Sequence, residues 1–192
     1  MPRAGLGPAA VVAAGAALAD EVGFADLTMV QLAERVGVRT PSLYKHIAGQ
    51  DDLNRRIAAL ALTEAADAIG LATQGYAGRD ALAAAARAFR AFVLAHPGRY
   101  AATIGVAPTG PDDPIAVAGE RLLGSFTAVL RAYPIGPDDI DHALRALRSV
   151  FHGFATLQAA HGFQWPADVD DSFEWLITLL DRALRSTPCT GS

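Results

Sequence analysis

The residues best suited to binding chemistry lie between Arg35 and His46, where three basic side chains occur without an acidic one. Lys45 is the only lysine of the chain, and it falls in this stretch. Arg and Lys side chains neutralise DNA phosphates and hydrogen-bond base edges in the major groove. The stretch therefore predicts a contact surface for duplex DNA, provided that the surrounding elements hold it outward.

The first of two short helices is predicted to begin at Thr28, which can cap it, with Gln31 placed as a capping box requires. Leu27 and Leu32 occupy the positions of a hydrophobic staple. Gly37 is expected to end the helix, because glycine takes the left-handed conformation without steric cost. The apolar side of this helix is predicted to comprise Val30, Leu32, Ala33 and Val36.

The second short helix is predicted to have Thr40 as its N-cap and Pro41 at its first position. Leu43 and Ile47 are four residues apart and are expected to face inward. The outward side is then predicted to carry Ser42, Lys45 and His46, with Tyr44 at its edge. This is the pattern of a helix-turn-helix, whose second helix enters the major groove. The alternative is a helical hairpin whose polar side is merely solvated.

The segment LTMVQLAERVGV followed by TPSLYKHI resembles the DNA-binding domain of the tetracycline-repressor (TetR) family of bacterial transcription regulators. The preceding AAVVAAGAALADEVGFADLT is similar to that family's first helix and loop. The resemblance implies that Arg39, Thr40, Pro41, Ser42 and Lys45 face base edges or adjacent phosphates. It also implies phosphate contacts from Tyr44, His46 and the Thr28 hydroxyl.

Two positions depart from the family pattern. Ile47 stands where the family often has phenylalanine, and Gln50 stands where it often has lysine. A phosphate contact from Gln50 would be neutral and therefore weaker than one from a charged side chain.

Composition predicts an all-α protein, since apolar residues reach 52%, alanine dominates and alternating β-branched runs are absent. We expect about nine helices in two parts. Residues 1–50 would form a three-helix DNA-binding domain, and a linking helix would begin at about residue 51. Residues 51–186 would form a helical effector-binding and dimerisation domain, followed by a disordered tail at 187–192.

The net charge of −4 is unevenly divided along the chain. Residues 1–60 hold six basic and six acidic residues, whereas residues 61–192 hold ten and fourteen. Positive charge is thus localised on one helix, which predicts modest, strongly salt-dependent non-specific DNA binding.

Both chain termini bear on the expected compartment. The N-terminal run partly resembles a secretory signal, but it is alanine-rich and also supplies the first helix that a helix-turn-helix needs. Cys189 is the single cysteine, so no disulfide can form within the chain. A cytoplasmic protein without a transmembrane segment is the preferred interpretation.

The last two helices carry the strongest apolar patterns, over residues 137–161 and 170–184. Two amphipathic helices joined by a short loop predict an antiparallel hairpin. In the TetR family the corresponding pair contacts its copy in a second subunit, and RSVFHGFATL resembles the Trp-His-Gly signature of one C-terminal domain type in that family. Phe151 replaces the tryptophan of that signature. The predicted homodimer interface comprises Ile140, Leu144, Leu147, Phe173, Ile177, Leu180 and Leu184.

A dimer also follows from the predicted DNA contact. One recognition helix touches few base pairs, whereas two copies about 34–36 Å apart would contact a palindromic operator. A ligand-responsive regulator, most simply a repressor, would further need a pocket for an unknown small-molecule effector. The predicted lining is Phe89, Phe92, Tyr100, Thr103, Phe126, Phe151, Phe154 and Trp165, although aromatic residues at helical spacing also fit an ordinary core.

The competing class is a small helical enzyme or a ligand- or metal-binding protein without DNA binding. The five histidines form no His-x3-His or Glu-x-x-His arrangement that would place metal ligands on one helix face. No Gly-rich phosphate loop, nucleophile elbow or Cys-x-x-Cys is present. We therefore expect no catalytic residues, no metal site and no cofactor.

Overall fold

A computed structural model describes residues 6–186, and every regular element within that range is helical. This confirms the all-α prediction. Cys189 and the predicted tail lie outside the described residues. The α-helices are α1 (Pro8–Val22), α2 (Met29–Arg35), α3 (Thr40–Leu43), α4 (Gln50–Ala72), α5 (Gly78–Ala95), α6 (Pro97–Gly105), α7 (Pro114–Leu130), α8 (Ile140–Ala159) and α9 (Val169–Ser186), with a 3-10 turn at Pro137–Asp139 before α8.

The helix boundaries follow from local chemistry. Proline stands at the first position of α1, α6 and α7, where its missing N–H leaves no hydrogen bond unmade. Helix α1 ends where Gly23 adopts a φ of 92°. Helix α9 is capped by Asp168, whose Oδ1 accepts the backbone N–H groups of Asp170 and Asp171 at 2.8 and 3.0 Å.

The chain divides into two compact units. The first unit comprises the residues up to Thr63 together with His96–Gly119, and the second comprises Glu64–Ala95 together with the residues from Glu120 onward. The first unit thus includes a segment from the middle of the chain, which a boundary at residue 50 does not anticipate. The division into functional domains stays a prediction.

The first unit has a predominantly aliphatic core. Its largest fully buried side chains come from α2, the α3 region and α4: Leu32, Leu43, Ile47, Leu53 and Ile57. Valine and alanine from α1 complete this core. The prediction for α2 is wrong at Val30, which is 56% exposed, whereas the adjacent Met29 is buried. Because the helix begins at Met29, that residue rather than Val30 takes the inward position.

Helix α6 belongs to the first unit because it packs closely against α1. A Cβ atom built on Gly98 would lie 1.8 Å from the carbonyl oxygen of Ala19, so only glycine fits there. Asp20 accepts hydrogen bonds from the backbone N–H and Nε of Arg99, both at 2.8 Å. The Nδ1 atom of His96 lies 3.3 Å from the same carboxylate. The start of α6 is therefore fastened to the end of α1.

A second set of polar contacts in the first unit joins the segment before α7 to α4. Asp113 is buried, pairs with Arg55 of α4, and accepts hydrogen bonds from the backbone of Thr109 and of Ile115, both at 2.9 Å. The Thr109 backbone bond, followed by that of Ile115, lowers the pKa of Asp113 to about 2. The carboxylate therefore stays charged while holding this segment to α4.

The second unit has an aromatic core, in which α5 packs against α8 and α9. The rings of Phe126 and Phe151 have centroids 6.2 Å apart, and those of Phe151 and Phe173 have centroids 6.1 Å apart. Buried Asp181 accepts a 2.8 Å hydrogen bond from the Tyr133 hydroxyl and pairs with Arg185. Burial alone would raise the pKa of Asp181, but the hydrogen bonds from Arg185 and Tyr133 outweigh it and lower that pKa.

The predicted dimer interface on α8 and α9 stays a prediction. Five of its seven members are buried within the protomer, where their side chains pack against its own core. Ile140 and Leu180 are partly exposed and stay predictions. The apolar stripes were identified correctly, but such a stripe faces the nearest apolar surface, which here is the protomer's own core. The five buried residues are Leu144, Leu147, Phe173, Ile177 and Leu184.

Candidate nucleic-acid interface

Helix α2 is fixed at its start by the predicted capping box. The backbone N–H of Gln31 donates to Thr28 Oγ1 at 3.3 Å, and the backbone N–H of Thr28 donates to Gln31 Oε1 at 2.9 Å. The Thr28 hydroxyl also donates to Gln31 Oε1 at 2.8 Å. Thr28 is exposed, so its contact with DNA backbone stays a prediction. Such a contact would have to replace the hydroxyl's bond to Gln31.

The turn after α2 is a Schellman motif centred on Gly37, whose φ is +71°. The backbone N–H of Val38 donates to the carbonyl of Ala33 at 3.0 Å, and that of Gly37 donates to the carbonyl of Glu34 at 3.2 Å. Val38 is partly buried against the core. The turn therefore has a defined geometry, which sets the direction in which the chain enters α3.

Helix α3 starts and ends differently from the prediction. Arg39, not Thr40, is the extended N-cap residue, and α3 ends at Leu43. The chain continues as a tight turn because ψ of Tyr44 is −9°, and the N–H groups of His46 and Ile47 both donate to the carbonyl of Leu43. We call residues 39–47 the recognition segment.

The recognition segment has one side packed in the core and the opposite side exposed to solvent. Leu43 and Ile47 are fully buried, as the spacing predicted. Tyr44 is 56% exposed. The remaining predicted DNA-contacting residues are all accessible: Arg39, Pro41 and Lys45 are exposed, and Thr40, Ser42, His46 and Gln50 are half-buried. Their individual roles on DNA stay predictions.

Neighbouring ion pairs concentrate the available positive charge on this segment. Arg35 pairs with Glu21, and Arg55 pairs with buried Asp113. Within residues 6–186, by contrast, neither Arg39 nor Lys45 has an ion-pair partner, so both cations are available to an anionic ligand. The arrangement suits phosphate and base-edge contacts.

The segment that follows is also well ordered by polar contacts. Gln50 donates from its amide to Asn54 Oδ1 at 2.9 Å. Asp52 accepts the backbone N–H of Ala48 at 2.9 Å and pairs with Arg56, and the Arg56 hydrogen bond is the main reason why the pKa of Asp52 is lowered. These bonds hold the start of α4 next to the recognition segment.

The residues predicted to line an effector pocket fall in different environments. Phe89, Phe92, Phe126 and Phe151 are buried in the second unit, whereas buried Tyr100 and half-buried Thr103 belong to the first unit. The Thr103 hydroxyl donates to the carbonyl of Tyr100 at 2.7 Å. The lining role of these six residues stays a prediction.

The other two predicted lining residues, Phe154 and Trp165, border a cavity of about 700 Å³ in the second unit. It lies where the segment after α8 meets the start of α9. Sequence reasoning missed the rest of its lining, although Trp175 carried a usable signal. That tryptophan falls outside the apolar stripe of α9 and is 67% exposed. The further lining residues are Phe163, Ala167, Asp168, Val169, Asp171, Ser172, Trp175 and Leu176.

Within residues 6–186, no cluster of three or more His, Cys, Asp or Glu side chains is arranged to hold a metal ion. None of the helices in that range is both long and apolar enough to cross a membrane.

This site has the features of a helix-turn-helix DNA-binding protein. Helices α2 and α3 pack on the core, a Schellman turn joins them, and exposed cations lie on the outer side. A family model described as "Bacterial regulatory proteins, tetR family" matches residues 11–57. A second, described as "Tetracyclin repressor-like, C-terminal domain", matches residues 82–180. The chain therefore belongs to the TetR family of transcriptional regulators.

Full-length relatives agree with this family. An uncharacterised helix-turn-helix-type transcriptional regulator of Bacillus subtilis, YobS, is 30% identical over 92% of this chain and 91% of its own length. A possible TetR family regulator from Streptomyces coelicolor A3(2) has a TM-score of 0.73 at 27% identity, covering 93% of this chain and 98% of that one. The curated relative is a regulator of transcription, which decides against the enzyme alternative.

A third similar structure is a TetR variant from Acinetobacter baumannii AYE in complex with minocycline. Its TM-score is 0.70 at 27% identity, with 95% of this chain and 99% of that chain covered. The likeness thus extends over both units of the chain.

Proposed function

We propose that this regulator binds a palindromic operator as a homodimer, represses transcription there, and releases the DNA when a small molecule binds. The observation that carries the DNA contact is the recognition segment, in which buried Leu43 and Ile47 support the exposed cations Arg39 and Lys45. Because the site of action is the chromosome, we also propose a cytoplasmic location.

The DNA-binding surface of one protomer is too small for selective binding. The recognition segment spans few base pairs, and operator selectivity then requires two copies separated by about 34–36 Å, one turn of the duplex. Lys45 and Arg39 are the side chains that we propose for base or phosphate contacts. Tyr44 and His46 are proposed for phosphate contacts, which fix position without distinguishing sequences.

For the dimer we propose the outward faces of α8 and α9 instead of their buried stripes. On α8 the outward positions at helical spacing are mostly small, and Leu157 among them is 52% exposed. On α9 Leu179 is 47% exposed. Small residues allow a close approach of two helices, and the leucines provide apolar area to bury. We define the dimer face as Ala146, Ser149, Gly153, Leu157, Leu179 and Ala183.

The proposed ligand response must alter the geometry of the two recognition segments. A ligand can shift that geometry only by binding one state more tightly than the other. The start of α6 is a candidate transmission point, because His96 and Arg99 are both fastened to Asp20 of α1. The similar Acinetobacter protein forms a complex with minocycline, which supports the proposal that this chain also binds a small molecule.

A gel-shift titration tests the DNA function directly, using DNA from upstream of the protein's own gene at several defined salt concentrations. We expect a discrete complex whose affinity falls steeply with salt, while unrelated DNA of equal length binds far more weakly. Equal affinity for the two DNAs would contradict sequence-specific regulation.

The dimer face is tested by Leu179→Glu, with Leu71→Glu as the control on a leucine that is more exposed and lies outside the face. In sedimentation velocity, we expect Leu179→Glu to be monomeric and to lose operator binding, whereas Leu71→Glu should remain dimeric. A Leu179→Glu protein that sediments like the parent would exclude this interface.

A further inference from the structure

The cavity at the junction of α8 and α9 has the composition of a specific ligand site. We propose that it binds a hydrophobic organic cation. The claim that this cavity controls DNA release rests on the proposed function. The claim that the cavity binds such a cation does not. Its volume of about 700 Å³ suits a drug-sized molecule.

The walls of the cavity are aromatic. The rings of Phe154 and Phe163 have centroids 4.8 Å apart, and those of Phe163 and Trp165 have centroids 6.1 Å apart. Trp165 and Trp175 are each 67% exposed although both line the cavity. Large aromatic surfaces left open in a concave site favour a ligand that covers them, and aromatic faces attract cations.

The negative charge of the cavity lining also favours a positively charged ligand. Its residues include the carboxylates of Asp168 and Asp171 and no basic side chain. Asp168 uses Oδ1 to cap α9. Within residues 6–186, the Asp171 carboxylate takes part in no hydrogen bond or ion pair and is exposed. It is therefore available to a positively charged group at the mouth of the cavity.

The same aromatic cluster already holds a cation belonging to the protein. The guanidinium of Arg90 lies 5.7 Å from the ring centroid of Phe154 and 4.8 Å from that of Phe173. Its charge is balanced by Asp170 at 2.5 Å, and its Nε donates to Gln158 at 2.7 Å. The Arg90 charge is thus neutralised by Asp170 and does not oppose a positively charged ligand.

Other occupants fit less well. An anionic ligand would meet two carboxylates, and a small inorganic cation would leave the aromatic walls uncovered. The proposed dimer face adjoins the cavity, because Leu179 lies one helical turn after Trp175 on α9. A second copy that also covered the cavity would exclude both charged and neutral small molecules, and that result would overturn the proposal. The combination of aromatic walls with an acidic mouth therefore favours an organic cation.

The test uses the full chain without DNA. Trp165 and Trp175 are the only two tryptophans, so intrinsic fluorescence reports directly on this cavity. Tetraphenylphosphonium and tetraphenylborate have nearly the same size and shape but opposite charge. We expect saturable quenching by the phosphonium cation and at least about tenfold weaker binding of the borate anion. Equal binding of the two ions, or saturable binding of neither, would overturn the proposal.

Variants locate the site. The double variant Asp168→Asn/Asp171→Asn keeps a good N-cap residue on α9 and removes both charges. We expect it to bind the phosphonium about three- to tenfold more weakly by calorimetry. Asp141→Asn, an exposed aspartate in the first turn of α8, is the matched control and should bind like the parent. Trp165→Ala should also weaken binding. Unchanged affinity in both cavity variants would contradict the assignment.

The two proposals fail in different measurements. Loss of the operator complex in a ligand-free gel shift would contradict the DNA function and leave the fluorescence result intact. Quenching that is accompanied by unchanged operator affinity at saturating phosphonium would overturn the effector role of the cavity.

Discussion

The two units of the chain differ in how their cores are built. All of the largest fully buried side chains in the first unit are aliphatic, and α1 approaches α6 so closely that Gly98 has no room for a methyl group. In the second unit, phenylalanine rings form the core and a large cavity opens beside them. A closely packed unit suits a surface that must match DNA, whereas an aromatic unit with open space suits ligand binding.

The largest expected effect tests the close packing of the first unit. Gly98→Ala should destabilise the protein by about 3 kcal/mol, the upper end of the usual cost of overpacking, since the added carbon would overlap the backbone of Ala19. Gly124→Ala is the control, because that helical glycine of α7 has open space around it. It should gain about 0.5–1 kcal/mol from helix propensity. Chemical denaturation measures the free energy of unfolding of both variants. If the two substitutions changed it by similar amounts, the claim of close packing at Gly98 would be refuted.

A second effect concerns the surface that the close packing supports. Lys45→Ala and Arg39→Ala should each weaken operator binding by about 1–3 kcal/mol, and whichever residue contacts a base should also relax selectivity at that position. Arg145→Ala, an exposed arginine on α8 in the second unit, should bind like the parent. Competition gel shifts against single-base operator variants measure both quantities. Wild-type behaviour of both recognition variants would show that the face is assigned wrongly.

The smallest effect is a pH dependence that originates in the first unit. The folded pKa of Asp113 is about 2, below its ordinary value of 3.8, so its contribution to stability is present above pH 3.8 and is lost as the pH falls towards 2. Asp113→Asn should lower stability at neutral pH and flatten its decline over that window. Thermal melts at stepped pH measure this, with neighbouring exposed Asp112→Asn as the control. A parallel decline in all three proteins would argue against the carboxylate.

Local signals predicted the DNA-binding part of the fold accurately. Interactions between residues close in sequence determine three of its features: capping by Thr28, the turn at Gly37, and the burial of Leu43 and Ile47. The same reasoning placed the start of α3 one residue late, because proline tolerates either of the first two helical positions. It also could not anticipate that α6 packs on α1, since Gly98 and Ala19 are far apart in sequence.

The second unit was harder to predict for a related reason. An amphipathic stripe establishes that a helix has an apolar partner, but it does not identify that partner. Leu147 and Ile177 were therefore assigned to a second subunit, whereas they are buried in their own protomer. Aromatic residues posed the same difficulty, since Phe151 and Trp165 look equally apolar in sequence although one is buried and the other lines the cavity.

The solitary lysine on the recognition segment has a practical consequence. Reagents that acylate amines can modify only one side chain in this sequence, and that side chain is exposed where DNA is expected to bind. Acylation of Lys45 would remove the positive charge of this one side chain and leave every arginine intact. The mass of the peptide that carries Lys45 would therefore show whether bound duplex protects this amine.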